Sequence, residues 1–496
     1  MKIEGLVDGA ARKSIREELD QTLVVEAAAG TGKTTELVQR IVAMVESGRA
    51  RLSSIVSVTF TEKAAGEMKL RIRTELDRAL LDLQRDPVVD AARDEAQRAR
   101  LVAALSELET AKVGTIHALC AELLREHPIE AHVDPAFEVA DSMLARALLE
   151  RAFDSWFERT LQAPSEGVRR VLARRAFDEK SKGAREQLLS AAHRLIETRD
   201  FPTPYRRDPF DRPATLRAVL AELRALAALG TRASSSYDKL GASLRELAQR
   251  LTRVQHADDD QLEAFFRKLT RDRKLWADKK GGGQQYGSEL PRALVLEARV
   301  TAQRHLAACV MALDADVAAC LSRELVPVVQ AYELEKRAHG TLDFFDLLLF
   351  TRDLLRDHDQ VRRRVQSDVT HLFVDEFQDT DPVQSELLLL ISADDPSERD
   401  PWRARPVAGK LFVVGDPKQS IYRFRRADVA LYERIKRHLV ALGARVLELS
   451  TSFRSLPDIQ SLVNAAFLPL MGGDVNKGEA SYVQLSAFRA ARTTQP

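Results

Sequence analysis

"VVEAAAGTGKTTELVQRIVAMV", Val24–Val45, joins an apolar run to a glycine turn and then to a helical pattern. That order is the context a phosphate-holding loop needs: strand, glycine turn, and a helix opening at Lys33–Thr34. Gly30 and Gly32 let backbone N–H groups approach an anion closely, because no Cβ intervenes. The helix N-terminus adds unpaired donors and a favourable dipole. In such a loop the Lys33 ammonium reaches the β- and γ-phosphates, and the Thr34 hydroxyl holds Mg²⁺. Ala27 stands where the usual pattern has its first glycine, and alanine serves there if φ is negative. Taken alone, the stretch also reads as a plain strand–turn–helix without a ligand.

Working outward, similar apolar runs recur, each followed by a helical pattern. They are "TLVVEA" (22–27), "IVSVTF" (55–60), "HLFVDE" (371–376), "KLFVVGD" (410–416) and "RVLELS" (445–450). Runs this apolar fit strands buried on both faces, so an α/β fold with a parallel sheet covered by helices is expected. The helix over 34–46 agrees, with Leu37, Val38, Ile41, Val42 and Val45 on one face. Between about 128 and 335 the strand signal disappears. There Leu216, Val219, Leu220, Leu223, Leu226 and Leu229 repeat at helical spacing, which predicts a large all-helical insert. Within it, "RKLTRDRKLWADKKGGGQQYG" (267–287) reads as a solvated loop or as a DNA-contacting arm.

The 496 residues allow several domains, and 45% hydrophobic with 30% charged content is ordinary for a globular protein. Lys and Arg number 75 against 74 Asp and Glu, so overall charge carries no hint of nucleic acid and any basic surface must be local. Cys120, Cys309 and Cys320 show no metal-ligand spacing and fit inert thiols in a reducing cytoplasm. The N-terminus "MKIEGLVDGAARKS" lacks a signal-peptide core, and no membrane span is expected.

Three further strand ends carry chemistry. "HLFVDEFQDTDPVQ" (371–384) puts Asp375 and Glu376 just past an apolar strand. Adjacent carboxylates suit a divided task, one orienting Mg²⁺ and one taking a proton from water; a capping turn is the alternative. "LFVVGDPKQSIYRFRRAD" (411–428) offers Gln419 to sense a γ-phosphate, and it sets Tyr422 and Phe424 among arginines. Aromatics between cations are the composition of a base-stacking groove, or else of core packing. "LSTSFRSLPDI" (449–459) supplies Arg454, a charge-stabilising arginine or a surface one.

Together with "TFTEKAAGEMKLRI" (59–72), "GTIHALC" (114–120) and "LDFFDLLL" (342–349), these blocks resemble, in order, the UvrD/Rep-like superfamily 1 helicases. The wording is nearest the RecB/AddA branch. The resemblance implies a RecA-like ATPase domain over 1–127 and 336–447, a helical insert over 128–335, and the truncated start of a second RecA-like domain over 448–496. It implies that Ala27, Ala28, Ala29, Gly30, Thr31, Gly32, Lys33 and Thr34 bind ATP, with Thr34 and Asp375 at Mg²⁺. Glu376 would activate water, Gln419 and Arg454 would contact the γ-phosphate, and Phe453 would stack near the adenine. Single-stranded DNA would cross Phe60, Thr61 and Lys63, then Thr115 and His117, then Tyr422, Phe424 and Arg425.

The implied activity is 3′→5′ DNA unwinding in repair or recombination, at duplex junctions or ends, in the cytoplasm, with a partner subunit that is a nuclease or helicase. The alternatives are a DNA-stimulated ATPase or scaffold without unwinding, or an inactive gene fragment. Three departures stand out. No adenine-reading glutamine is evident in "DGAARKSIREELDQ" (8–21), Arg426 replaces a glycine of the UvrD type, and the later motifs are absent. Residues 456–496 are therefore expected to be poorly ordered.

Overall fold

The computed structural model describes residues 5–85, 91–174, 183–201, 208–233, 238–277, 285–286, 290–473 and 479–488. The chain divides into two compact units, 1–137 with 344–496, and 138–343.

The first unit is built on a six-stranded sheet. Its strands are β1 (Leu23–Ala27), β2 (Ile55–Thr59), β3 (Lys112–Thr115), β4 (His371–Val374), β5 (Leu411–Gly415) and β6 (Arg445–Leu449). They lie in the order β6-β1-β5-β4-β2-β3, and every pairing is parallel. The expected α/β class with a parallel sheet is borne out. β2 and β5 are buried along their whole length, as an apolar run between helical layers requires. β6 departs from that expectation. It is an edge strand in which only Leu447 and Leu449 are buried, while Arg445, Val446 and Glu448 are exposed. β3 had no apolar signal because it is the opposite edge, short and opened by a lysine.

Helix α1 spans Gly9–Glu17 and α2 spans Lys33–Ser47. α2 buries the predicted face, Leu37, Val38, Ile41, Val42 and Val45, against Leu23, Val25, Phe373 and Phe412 in one apolar cluster. Arg40 on the same helix is fully buried and donates to the carbonyls of Ile15, Leu19 and Gln21. It thereby satisfies acceptors at and beyond the end of α1 that would otherwise be buried and unpaired.

Among the described residues the second unit is helical apart from two-residue strand pairs, Glu138–Val139 with Thr341–Leu342 and Gln285–Tyr286 with Leu290–Pro291. The leucine repeat forms the helix Arg212–Ala228, with Leu216, Val219, Leu223 and Leu226 buried. Of the glycine-rich stretch 267–287, residues 278–284 and 287 lie outside the described residues.

The helix Arg292–Glu324 corrects the membrane reading, being long and apolar enough by length and composition to cross a bilayer. Half of its apolar window is buried inside the protein, and Leu306 and Leu313 pack in the unit's core. All three cysteines are free and buried, and burial pushes the Cys120 thiol up to about 12 and Cys309 to about 11. Cys320 shares a cluster with Glu166 and Asp316, but Arg170 already bonds both acids at 3.3 and 2.6 Å.

Residues 457–467 form a helix rather than a disordered segment. Asn464 ties it to Leu485 and Tyr482, while Leu462 and Leu470 stay exposed. Residues 474–478 and 489–496 lie outside the described residues.

Candidate functional site

The sequence-predicted residues fall at the carboxyl ends of the parallel strands, where open α/β sheets form their ligand crevices. β1 ends at Ala27, whose φ is not among the left-handed ones, so alanine fits where the pattern has glycine. The loop then turns on Gly30 (φ 77°) and Gly32 (φ 84°), and Lys33 opens α2. Ala28 is buried, Ala29 is exposed, and the Thr31 hydroxyl donates to the carbonyl of Ala28 at 2.7 Å. No side chain caps α2, which leaves its first-turn N–H groups for an anion.

β4 delivers the carboxylates. Asp375 is buried, takes the Thr34 hydroxyl at 3.2 Å and accepts the amide of Glu376 at 3.0 Å. Glu376 sits in left-handed backbone (φ 52°), a conformation that costs a non-glycine residue about 1–3 kcal/mol and clusters at functional sites. Its carboxylate bonds Lys33 at 2.9 Å and Gln378 at 2.7 Å. The capping-turn alternative is answered here: Asp381, not Asp375 or Glu376, caps the following helix, in a capping box with Gln384.

Burial, then the neighbouring charge of Glu376, raises the carboxyls of Asp375 and Asp379 to about 6, with Lys33 pulling the other way. The buried Oδ1 of Asp379 has no hydrogen-bond partner. Carboxylates held this way fit a divalent cation beside Thr34 and Asp375.

β5 and β6 complete the crevice. The Gln419 amide donates to Asp416 at 2.7 Å. Gln378, which carried no signal of its own beyond its motif, bridges β4 and β5 by accepting the Asp416 amide at 2.8 Å. Past β6, the amide of Phe453 donates to the carbonyl of Gly30 at 2.8 Å. A Cβ on Gly30 would lie 2.6 Å from that of Arg454, so glycine is needed there for close approach as well as for φ. Arg454 itself is exposed, and Phe453 packs against Phe488 and under Arg12.

The aromatics gather at the neighbouring strand ends. Phe60 and Tyr422 have ring centroids 4.9 Å apart, Tyr422 and Phe424 5.7 Å, and the Arg425 guanidinium lies over both Tyr422 and Phe424. Phe424 is 73% exposed, so core packing does not account for it. Thr61 and Lys63 are exposed at the start of the helix Glu62–Arg85. Thr115 caps the helix Ile116–Glu126 and donates to Glu62, while His117 meets the edge of Phe344. Burial, with Arg425 next, holds the His117 imidazole below its usual range, so it is neutral at pH 7. A cleft of about 420 Å³ is lined by Thr34, Asp375, Glu376 and Gln419 and also by Phe60, Thr61 and Tyr422. Glu67, Arg71 and Asp379 line it too, none of them singled out by the sequence reading.

This fold and this set of strand-end residues are those of a P-loop helicase core, and the chain belongs to the UvrD/REP helicase N-terminal domain family, which it matches over residues 8–439. It is 27% identical over 507 aligned residues to the A subunit of the ATP-dependent helicase/nuclease from Syntrophomonas wolfei, covering 94% of this chain and 38% of that protein. Proteins of the same name from Geobacillus kaustophilus and Desulforudis audaxviator are 28% and 29% identical, each with 40% of its length covered. The resemblance to the UvrD/Rep type and its RecB/AddA-like branch is thus borne out. The chain spans about two fifths of the length of the relatives it matches.

Proposed function

We propose that this chain carries the ATP-hydrolysing core of a DNA helicase that moves 3′→5′ along single-stranded DNA in repair or recombination. The observation that carries the proposal is the shared cleft: Thr34, Asp375, Glu376 and Gln419 of the candidate nucleotide site line one space with Phe60 and Tyr422 of the aromatic cluster. Chemistry at one end can then be felt at the other without a long relay.

On this reading ATP lies on the loop Ala27–Thr34, with its β- and γ-phosphates on Lys33. Magnesium held by Thr34 and Asp375 would neutralise charge on the triphosphate. Lys33 and Glu376 bond each other at 2.9 Å. A triphosphate that draws Lys33 away frees Glu376 to take a proton from water as the water attacks the γ-phosphorus. The bond to the bridging oxygen breaks, giving ADP and phosphate. Gln419 and Arg454 would meet the γ-phosphate, and Phe453 would stack near the adenine. Bases of the strand would stack on Phe60, Tyr422 and Phe424 beside Arg425, with Thr61, Lys63, Thr115 and His117 along its path. The relatives are named as subunits, which supports a partner protein in the assembly. Junctions or ends of duplex DNA are the proposed substrates.

The experiment is ATP turnover and strand separation by the protein containing this chain, with a 3′- or a 5′-tailed duplex. Single-stranded DNA should stimulate hydrolysis, and separation should require the 3′ tail. Lys33→Ala should abolish both, since a methyl cannot replace the charge-assisted phosphate contact. Separation that survives Lys33→Ala would overturn the assignment.

A further inference from the structure

Beneath the phosphate loop lies a buried cluster of charges. Arg12 of α1 is 0% exposed. Its guanidinium donates to Asp8 at 2.9 and 2.8 Å, to Glu36 at 2.9 Å, and to the carbonyl of Thr31 at 2.9 Å. Glu36, in the first turn of α2, is also held by Arg16 at 2.8 and 2.9 Å. Asp8 accepts the amides of Ser450 and Thr451 at 3.0 and 2.9 Å and the Thr451 hydroxyl at 2.8 Å. Finally, Arg12 lies 5.1 Å from the centre of the Phe453 ring.

We infer that Arg12 is a positioning residue of the nucleotide site, clasping the phosphate loop to the segment that carries Phe453 and Arg454. The inference rests on the nucleotide-site reading above.

Thr31 sits between left-handed Gly30 and Gly32, a loop whose glycines leave its peptide planes free to turn. A trans peptide sends its carbonyl and its N–H to opposite sides. Bonding the Thr31 carbonyl to Arg12 therefore turns the Gly32 N–H away from Arg12 and fixes that donor before any phosphate arrives. Glu36 sets the same guanidinium against the first turn of α2. Asp8 carries the constraint to Thr451, in the strand residues just before Phe453. The planar fork reaches all three partners at once, which a lysine ammonium on a flexible stem cannot do. The charges balance within the cluster, Arg12 and Arg16 against Asp8 and Glu36, so its worth lies in geometry rather than in net field. The stretch that lacks an evident adenine-reading glutamine thus acts on the loop, not on the base.

The test is calorimetric titration of the 496-residue chain and its Arg12→Lys variant with MgADP and, separately, with magnesium pyrophosphate. A charge-assisted bond is lost, so both affinities should fall by about tenfold and by the same factor, because pyrophosphate touches only the loop. Loss for MgADP alone would make Arg12 a base-reading residue and overturn the inference. Unchanged affinity for both in a folded variant would reduce Arg12 to core packing and overturn it equally. Should Arg12→Lys not fold, the neutral triple variant Asp8→Asn, Arg12→Met, Glu36→Gln removes the charges together and takes the same two titrations with the same expected fall. Failure of the parent chain to bind MgADP would instead count against the nucleotide-site reading itself.

Discussion

Arg12 and Arg170 are both fully buried, one in each compact unit, and each guanidinium is gripped by carboxylates and one main-chain carbonyl. For Arg170 the partners are Glu263 at 2.8 Å, Asp316 at 2.6 Å, Glu166 at 3.3 Å and the carbonyl of Leu313 at 3.1 Å. That carbonyl lies inside the long helix Arg292–Glu324, and Glu263 on the helix Asp259–Arg271. Arg170 therefore fastens regular helices to one another. Arg12 instead holds a carbonyl in a loop between two left-handed glycines, two residues before Lys33. The chemistry is nearly the same, and what it holds differs. A buried charge network is thus no functional signal by itself; the backbone at its far end decides what it does.

The comparison breaks most visibly at Arg170. Arg170→Met strips Glu263 and Asp316 of a buried cation and should cost about 3–5 kcal/mol of stability, read by denaturant unfolding. Affinity for MgADP should stay within about twofold, as expected of sites that do not interact. A loss under about 1 kcal/mol, or a large fall in affinity, would show that the two arginines do not divide as described.

Acidity separates the regions next. Asp375 and Asp379, raised from 3.8 to about 6, hold protons more readily in the folded than in the unfolded chain. Each therefore favours the fold below the ordinary carboxylate range, and that contribution is lost as pH rises through about 6. Without magnesium, thermal stability should decline between about pH 4 and pH 6, by about 2–3 kcal/mol at most for Asp375. Magnesium should restore it above that window and little below, where it competes with protons. The same decline with and without magnesium would leave these carboxylates outside the metal site.

A smaller effect is expected at Phe424, whose ring is exposed where those of Phe373 and Phe412 are buried. Phe424→Ala should weaken single-stranded DNA binding by roughly 1–3 kcal/mol without altering base preference, because stacking does not read base edges. Thermal stability should not move. Reduced stability with unaltered DNA affinity would return the ring to a packing role.

The sheet and the nucleotide loop were legible because their signals are local: continuous apolar runs, a glycine turn, and acids just past a strand. The clasp was not. Arg12 lies in a short polar helix and Asp8 just before it, with no local signal of burial, and the approach of Thr31, Glu36 and Thr451 buries them. Gln378 was hidden in the same way, since its bridge to Asp416 depends on β4 and β5 being neighbours. Arg426 is a middle case. Sequence marked it as standing in a glycine's place, and the structure gives it glycine's left-handed backbone, φ 68°. The long helix Arg292–Glu324 shows the limit of composition alone: its apolar window has the length and hydropathy of a span, yet half of it is buried inside the protein.

The central claim is that the acids past β4 hydrolyse a nucleotide held on the loop past β1. Glu376→Gln, in the protein containing this chain, tests it most directly, because the change keeps shape and removes only the proton acceptor. ATP affinity should stay within a few-fold of the parent, while DNA-stimulated turnover should fall by roughly 10²–10⁴, the usual worth of a general base. Turnover equal to the parent's would place the base elsewhere and contradict the account.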